Sequence, residues 1–370
     1  MSKQFLIIIL LTFLSSFIYA DEHDKLTENI SIEGVTDDII DDNPLAADDE
    51  PSLLISELVS ESEEKQQEIL IDISGVTDTG ILWKQFSLGS DIGRNAGILT
   101  ALGSLGKGNR AVIDNLNDYL MSVNLSYKSG GKTHYIIVSA CISAIMELGD
   151  SSSYQALFAA ICAGYPEVIA SEAFGALEVI PGNLHQFLLN VIWNNPPDEK
   201  LAAFRIAHNS DRFKIPERGQ IAELALEQAL SATEANINLS AMRYAAVLSL
   251  TQMRWTRANA LAIKHYYLVQ IDFSRGNVPK ERFIEAIDCL GAVGDSQAAL
   301  VLGLQLGLIN SRTESTGVFD SEITLAIVQA LGRIGDSAAF DHLFYVTNLS
   351  YGEQIKAAAR EAIGSLKWSR

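Results

Sequence analysis

The residue types that carry chemistry are few in this sequence, and they are scattered. The six histidines are His23, His134, His185, His208, His265 and His342. No two of them make a helical pair at metal-ligand spacing, and none precedes a glutamate. No Gly-x-Ser-x-Gly elbow and no Walker-type phosphate loop occurs. Three cysteines are too few for a disulfide framework. Cys141 and Cys162 flank Gly149-Asp150 on two predicted helices. They would form a disulfide if their Cα atoms came within about 7 Å, but small buried thiols are the expected state, with Cys289 alone in either case. These absences predict no catalytic residue, no metal site and no cofactor, and hence a chain that is not an enzyme.

Binding chemistry concentrates elsewhere. Residues 200 to 282 hold 12 bases and seven acids between flanks that are net acidic. Trp255 falls in a predicted turn between Arg254 and Arg257, and Trp and Arg are the side chains most enriched at interface hot spots. Arg243, Arg254, Trp255, Arg257 and Lys264 are therefore the candidate partner-binding residues, facing an anionic protein surface. The other reading of this stretch is solvated helix faces with structurally packed Arg and Trp.

The elements that must position these residues are helical. From about residue 90 onward, helix-length apolar patterns alternate with short breaks, and strand-like alternation is scarce. Leu290-Gly291-Ala292-Val293-Gly294-Asp295-Ser296 recurs as Leu331-Gly332-Arg333-Ile334-Gly335-Asp336-Ser337, with weaker copies at Leu102 to Gly106 and Glu147 to Ser151. Such a segment predicts a turn in which Gly takes the left-handed C′ position and Asp or Ser caps the next helix. The inner Gly or Ala lets paired helices approach closely. Asn124-Leu125-Ser126-Tyr127 and Asn348-Leu349-Ser350-Tyr351 are both expected to follow an outgoing helix, and Ser129-Gly130-Gly131 to form a mobile insertion.

Arg243 with Ala245-Ala246, Lys356 with Ala358-Ala359, and the two Leu-Gly-x-x-Gly-Asp turns resemble the HEAT repeats of the bacterial lyase-like type. The resemblance is specific over 279 to 367, moderate over 90 to 165, and weakest over 181 to 235, where Pro196-Pro197 and Pro216 interrupt it. It implies an all-α fold: an α-solenoid of helix pairs near 90–121, 133–163, 166–194, 198–231, 240–270, 279–310 and 320–349, capped by a helix near 352–367. One enzymatic branch of that superfamily, the deoxyhypusine hydroxylases, holds two irons with repeated His-Glu pairs. This chain has none of them. Bilin lyases share the repeat, but an exported chain with an acidic tail fits that activity poorly.

The net charge of −19 over 370 residues argues against nucleic acid as a partner. Residues 21 to 72 alone carry −16, so the acidity belongs to the tail and the remainder is close to neutral. Asp37-Asp38, Asp41-Asp42 and Asp48-Asp49-Glu50 lack the alternation and central Gly of an EF-hand, so a solvated, disordered segment over 21–80 is expected ahead of calcium binding. A helix is expected after Pro51, with Leu53, Leu54, Leu58 and Val59 on one face. Ile30 to Asp37 and Ile71 to Asp78 match at six of eight positions, and their alternation suits strand addition to a partner. Residues 1–20 read as a signal peptide cleaved after Ala20, which predicts export to the periplasm or cell envelope and no stable membrane span afterwards.

The sequence thus predicts a non-catalytic interaction scaffold binding a protein partner, with its own acidic segment as a competing intramolecular ligand. The alternative is an enzyme or ligand-binding protein with a concave site in the irregular 181–235 section.

Overall fold

The computed structural model describes residues 78–89, 91–232 and 235–368. The expected leader, the acidic clusters, the helix expected after Pro51 and most of the duplicated Ile-Gly-Val segments lie outside these residues.

Sixteen α-helices and no strand occur among the described residues. They are α1 (Thr79–Leu88), α2 (Ile92–Leu105), α3 (Arg110–Lys128), α4 (Tyr135–Leu148), α5 (Tyr154–Cys162) and α6 (Glu167–Val179). Next come α7 (Leu184–Asn194), α8 (Pro197–Asn209), α9 (Ile215–Leu230), α10 (Ile237–Met253) and α11 (Asn259–Ser274). The last are α12 (Lys280–Val293), α13 (Ser296–Thr316), α14 (Ser321–Ile334), α15 (Phe340–Asn348) and α16 (Glu353–Gly364). Short 3₁₀ turns at Ser151–Ser153, Thr256–Ala258 and Ser337–Ala339 lead into α5, α11 and α15.

Helix α14 shows why these segments are helical. Asp320 accepts hydrogen bonds from the backbone N–H groups of Glu322 and Ile323, which would otherwise be orphaned at the first turn. Ile323, Ile327, Ala330 and Leu331 recur on one buried face, and Gly335 at φ 70° ends the helix in the left-handed region. Helix α1 lies before the expected start near residue 90. Its ten residues carry only Leu82 and Phe86 as buried anchors, behind an Asp78 cap.

The helices form two interleaved series. Even-numbered helices pack α2 on α4, α4 on α6, α8 on α10, α10 on α12, α12 on α14 and α14 on α16. Odd-numbered helices follow suit, α3 on α5, α7 on α9, α9 on α11, α11 on α13 and α13 on α15. Between Val179 and Leu184 the succession is carried by α5 against α8, by Phe187 beside Tyr154 and Phe158, and by Arg212. The Arg212 guanidinium donates to the carbonyls of Leu177, Ile180 and Gly182 at 2.7, 2.9 and 3.2 Å. A cation there satisfies the open end of α6.

The repeated turns behave as expected in part. Asp150, Asp295 and Asp336 each accept from the N–H two residues on, and Gly149 and Gly335 are left-handed. Gly106 and Gly294 are not left-handed. There a Cβ would lie 2.5 Å from the Leu102 carbonyl or 2.3 Å from that of Leu290, so space, not φ, requires glycine. The inner glycines also serve a different contact from the one expected. Gly103 abuts Ala144, Gly291 abuts Ala330 and Gly332 abuts Ala362, so the close approach is between successive even helices. Consecutive helices pack most extensively as α9 with α10, α11 with α12, α5 with α6 and α15 with α16, not across the Gly-Asp turns. After the Gly335-Asp336 turn the 3₁₀ segment Ser337–Ala339 packs on α13, and Thr256–Ala258, which follows Arg254-Trp255, packs on α12.

Two further expectations are corrected. Asn124 to Tyr127 lies inside α3, whereas α15 ends at Asn348, so the two Asn-Leu-Ser-Tyr segments are not equivalent. The repetition that does hold is a buried asparagine bridge: Asn124 Nδ2 donates to the Ala156 carbonyl and Asn310 Nδ2 to that of His342, each 32 residues on. Pro197 and Pro216 open α8 and α9 at first-turn positions, where no N–H is needed.

All three cysteines are free thiols. Burial raises each: Cys162 to about 12, Cys289 to about 11, and Cys141 further still. No helix among the described residues is long and apolar enough to cross a membrane.

Candidate functional site

Helices α8, α9 and α10 line an open cavity of about 70 Å³; α8 and α9 belong to the 181–235 section that the sequence singles out as irregular, and α10, with Ser249, Gln252 and Met253, lies beyond it. Phe204 and Ile221 give it an apolar lining, and His208, Arg218, Ser249 and Gln252 bring polar groups to it. The walls are set by local chemistry. Arg218 staples the α8–α9 turn, with Nε donating to the Phe213 carbonyl at 3.1 Å and Nη2 to the Ser210 carbonyl at 2.6 Å. Ser249 Oγ lies 3.4 Å from His208 Nδ1, and burial together with the Arg218 charge holds His208 below its ordinary pKa. A nucleophile needs a closer base and a group that orients that base. Among the described residues no carboxylate contacts His208, so this pair can hold a ligand but is poorly built to attack one.

Three of the five predicted partner-binding residues, Arg254, Trp255 and Arg257, form the next link. Arg254 closes α10 in the left-handed region at φ 50°, the one non-glycine residue with positive φ among those described. Trp255 follows it, half-buried. Its indole N–H donates to Glu223 at 2.7 Å and its ring lies so close to Gly219 that a Cβ there would sit 2.5 Å away. Arg257 pairs with the same carboxylate at 3.5 Å and lies 5.7 Å from the Trp255 ring centroid. Trp255 and Glu223 thus tie the α10–α11 turn to α9.

Arg243 sits apart, on α10. Its Nη2 donates to the Tyr244 hydroxyl at 3.2 Å, and Arg282 from α12 lies over the Tyr244 ring at 4.4 Å. His265 is fully buried beside them, and burial with the charges of Arg243 and Arg282 pushes its pKa down to about 3. Lys264, the residue before His265 on α11, is exposed. Arg243, Arg254, Lys264 and Arg275 form no ion pair among the described residues. Arg212, Arg218, Lys200 and Lys280 are instead held by carbonyls, an amide or carboxylates. Much of the basic excess is therefore structural.

The charge count does not register a second surface. On α11, Lys264, Tyr267, Leu268 and Ile271 follow one another at i, i+3, i+4 and i+7, which is one helix face, and Arg275 follows at the C-cap. Tyr267, Leu268 and Ile271 are all exposed. On α13, Leu300, Leu304 and Leu308 repeat every four residues and are 55%, 65% and 69% exposed. On α15, Phe344 and Tyr345 are exposed. Contacts join these helices side by side: Gln270 to Gln305 at 2.8 Å, and His342 against Gly303 and Gly307. Eight large apolar side chains on three adjacent helices exceed the scattered exposure of an ordinary surface. The four-residue spacing of the leucines was readable in the sequence. Their exposure was not, because a buried helix carries the same pattern.

The chain matches no protein-family model and no curated protein.

Proposed function

We propose that the chain is a non-catalytic protein-binding module, a HEAT-like α-solenoid that docks a partner through the exposed face of α11, α13 and α15. The observation that carries this reading is the run of exposed Leu300, Leu304 and Leu308 beside Tyr267, Leu268 and Ile271. Interface cores are apolar and aromatic with polar rims. Lys264, Arg275 and Arg312 supply a basic rim, which favours a partner segment with one apolar side and acidic flanks. Arg254, which forms no ion pair among the described residues, adds to the positive potential at the α10–α11 turn. The succession of even and odd helices supports the solenoid, since each helix finds its apolar neighbour in the next unit. Export after cleavage at Ala20 belongs to the same proposal, and N-terminal sequencing of the mature chain tests it.

The binding claim is tested by capturing partners from the source cell with the wild-type chain and with Leu300→Glu/Leu304→Glu/Leu308→Glu. The variant is expected to melt as the wild type does and to lose the partners. Equal capture by both would refute the reading.

A further inference from the structure

The α8–α10 cavity lies apart from the α11–α13–α15 face and needs its own account. Its chemistry is one-sided: every polar lining residue, His208, Arg218, Ser249 and Gln252, has a hydrogen to donate, and no lining residue is acidic. Arg218 Nε and Nη2 are fixed on backbone carbonyls, while Nη1 has no partner among the described residues. The guanidinium is thus pre-oriented, with one donor edge to spare, and a fixed fork is the geometry that recognises carboxylates. Ser249 is 7% exposed, its hydroxyl is free to donate when His208 Nδ1 carries the proton of their 3.4 Å contact, and Gln252 adds an amide. The volume of about 70 Å³ corresponds to roughly five waters, enough for a carboxylate and two or three carbons. Phe204, Ile221 and Met253 supply apolar wall for those carbons.

We infer that the α8–α9–α10 cavity is a carboxylate-binding socket. It receives the carboxylate of an acidic side chain or of a small free acid, and it works independently of the apolar face.

The test titrates the full chain, labelled at histidine, with sodium acetate and with the blocked peptide acetyl-Ala-Glu-Ala-amide. The Gln counterpart of that peptide and matched sodium chloride serve as controls. The His208 ring resonances are expected to shift saturably with acetate and with the Glu peptide, and with neither control. Ser249→Ala and Gln252→Ala, which leave the Arg218 staple intact, should each weaken the apparent affinity about three- to tenfold. Leu304→Glu should leave it unchanged, which separates this socket from the docking face. Binding of the peptide at least about tenfold tighter than acetate assigns the carboxylate to a protein side chain, and equal affinity assigns it to a small free acid. The absence of a saturable His208 shift with either probe up to about 100 mM, far above the affinity of a weak site, would overturn the inference. So would an equal shift with the Gln peptide.

Discussion

Replacing Asn310 by Ala should destabilise the fold more than the same change at Asn124, although both asparagines are buried and bridge in the same way. Asn310 makes two bonds: Nδ2 to the His342 carbonyl at 3.0 Å, and Oδ1 from the Tyr351 hydroxyl at 2.9 Å. Removing it strands a carbonyl at about 1–3 kcal/mol. The Tyr351 hydroxyl keeps Thr313 at 3.0 Å, so its loss is partial. The sum is about 2–4 kcal/mol. Among the described residues Asn124 makes only the bond to the Ala156 carbonyl at 3.1 Å, and its Oδ1 has no partner. Its truncation removes that idle acceptor as well, so about 1–2 kcal/mol is expected. Urea unfolding followed by circular dichroism gives the two midpoints. Hydrogen exchange should show lost protection in α15 and α16 for Asn310→Ala and in α3 and α5 for Asn124→Ala. A cost for Asn124→Ala equal to or above that for Asn310→Ala would refute the hydrogen-bond reasoning, as would loss of protection spread evenly over both regions.

Other outcomes follow from the same contacts. Gly291→Ala puts a Cβ 2.8 Å from Ala330 and should cost about 1–3 kcal/mol, whereas Gly175→Ala, with open space around it on α6, should stabilise by about 0.5–1 kcal/mol; thermal melts check both. His265 is neutral in the fold with a pKa of about 3, while the unfolded chain binds its proton near 6.5, so stability is complete above pH 6.5 and falls as pH drops toward 3. Between pH 7 and 5 its share is about 2 kcal/mol, and His265→Phe should lose less stability over that interval than the wild type. Arg254→Gly should hold or raise the melting temperature, by about 0.5–1 kcal/mol, because glycine accepts φ 50° without strain. In native protein, Cys141 and Cys289 should resist a thiol reagent until denaturant is added, since both are buried.

The sequence made the helices legible through caps and periodicity. Asp320 before Ile323, and Gly335 after Leu331, can be read directly as start and stop. Which helices pack together was harder to read. The Leu-Gly-x-x-Gly-Asp repeat marks a turn, but what its first glycine touches depends on a helix some 30 to 40 residues away, and only the fold shows Gly291 against Ala330. Trp255 was visible as an unusual turn residue. That its N–H meets Glu223 on α9 was not, because nothing in the spacing of 223 and 255 announces a contact. The cavity shows the same limit. Its residues come from three helices, and the section from 181 to 235 stood out only through its prolines and its missing turn motif. The exposed leucines of α13 were hidden for the opposite reason: a regular apolar spacing reads as core until the neighbouring helices are in place.

The central claim is that the face of α11, α13 and α15 docks a protein. A photo-crosslinking residue placed at Leu304, and at Gln220 on α9 as an exposed reference, tests it at single-residue resolution in the source cell. The account predicts a discrete crosslinked protein at 304 that disappears when Leu300 and Leu308 are changed to Glu, and none at 220. Crosslinking at 220 equal to that at 304, or a product at 304 that survives both substitutions, would contradict it.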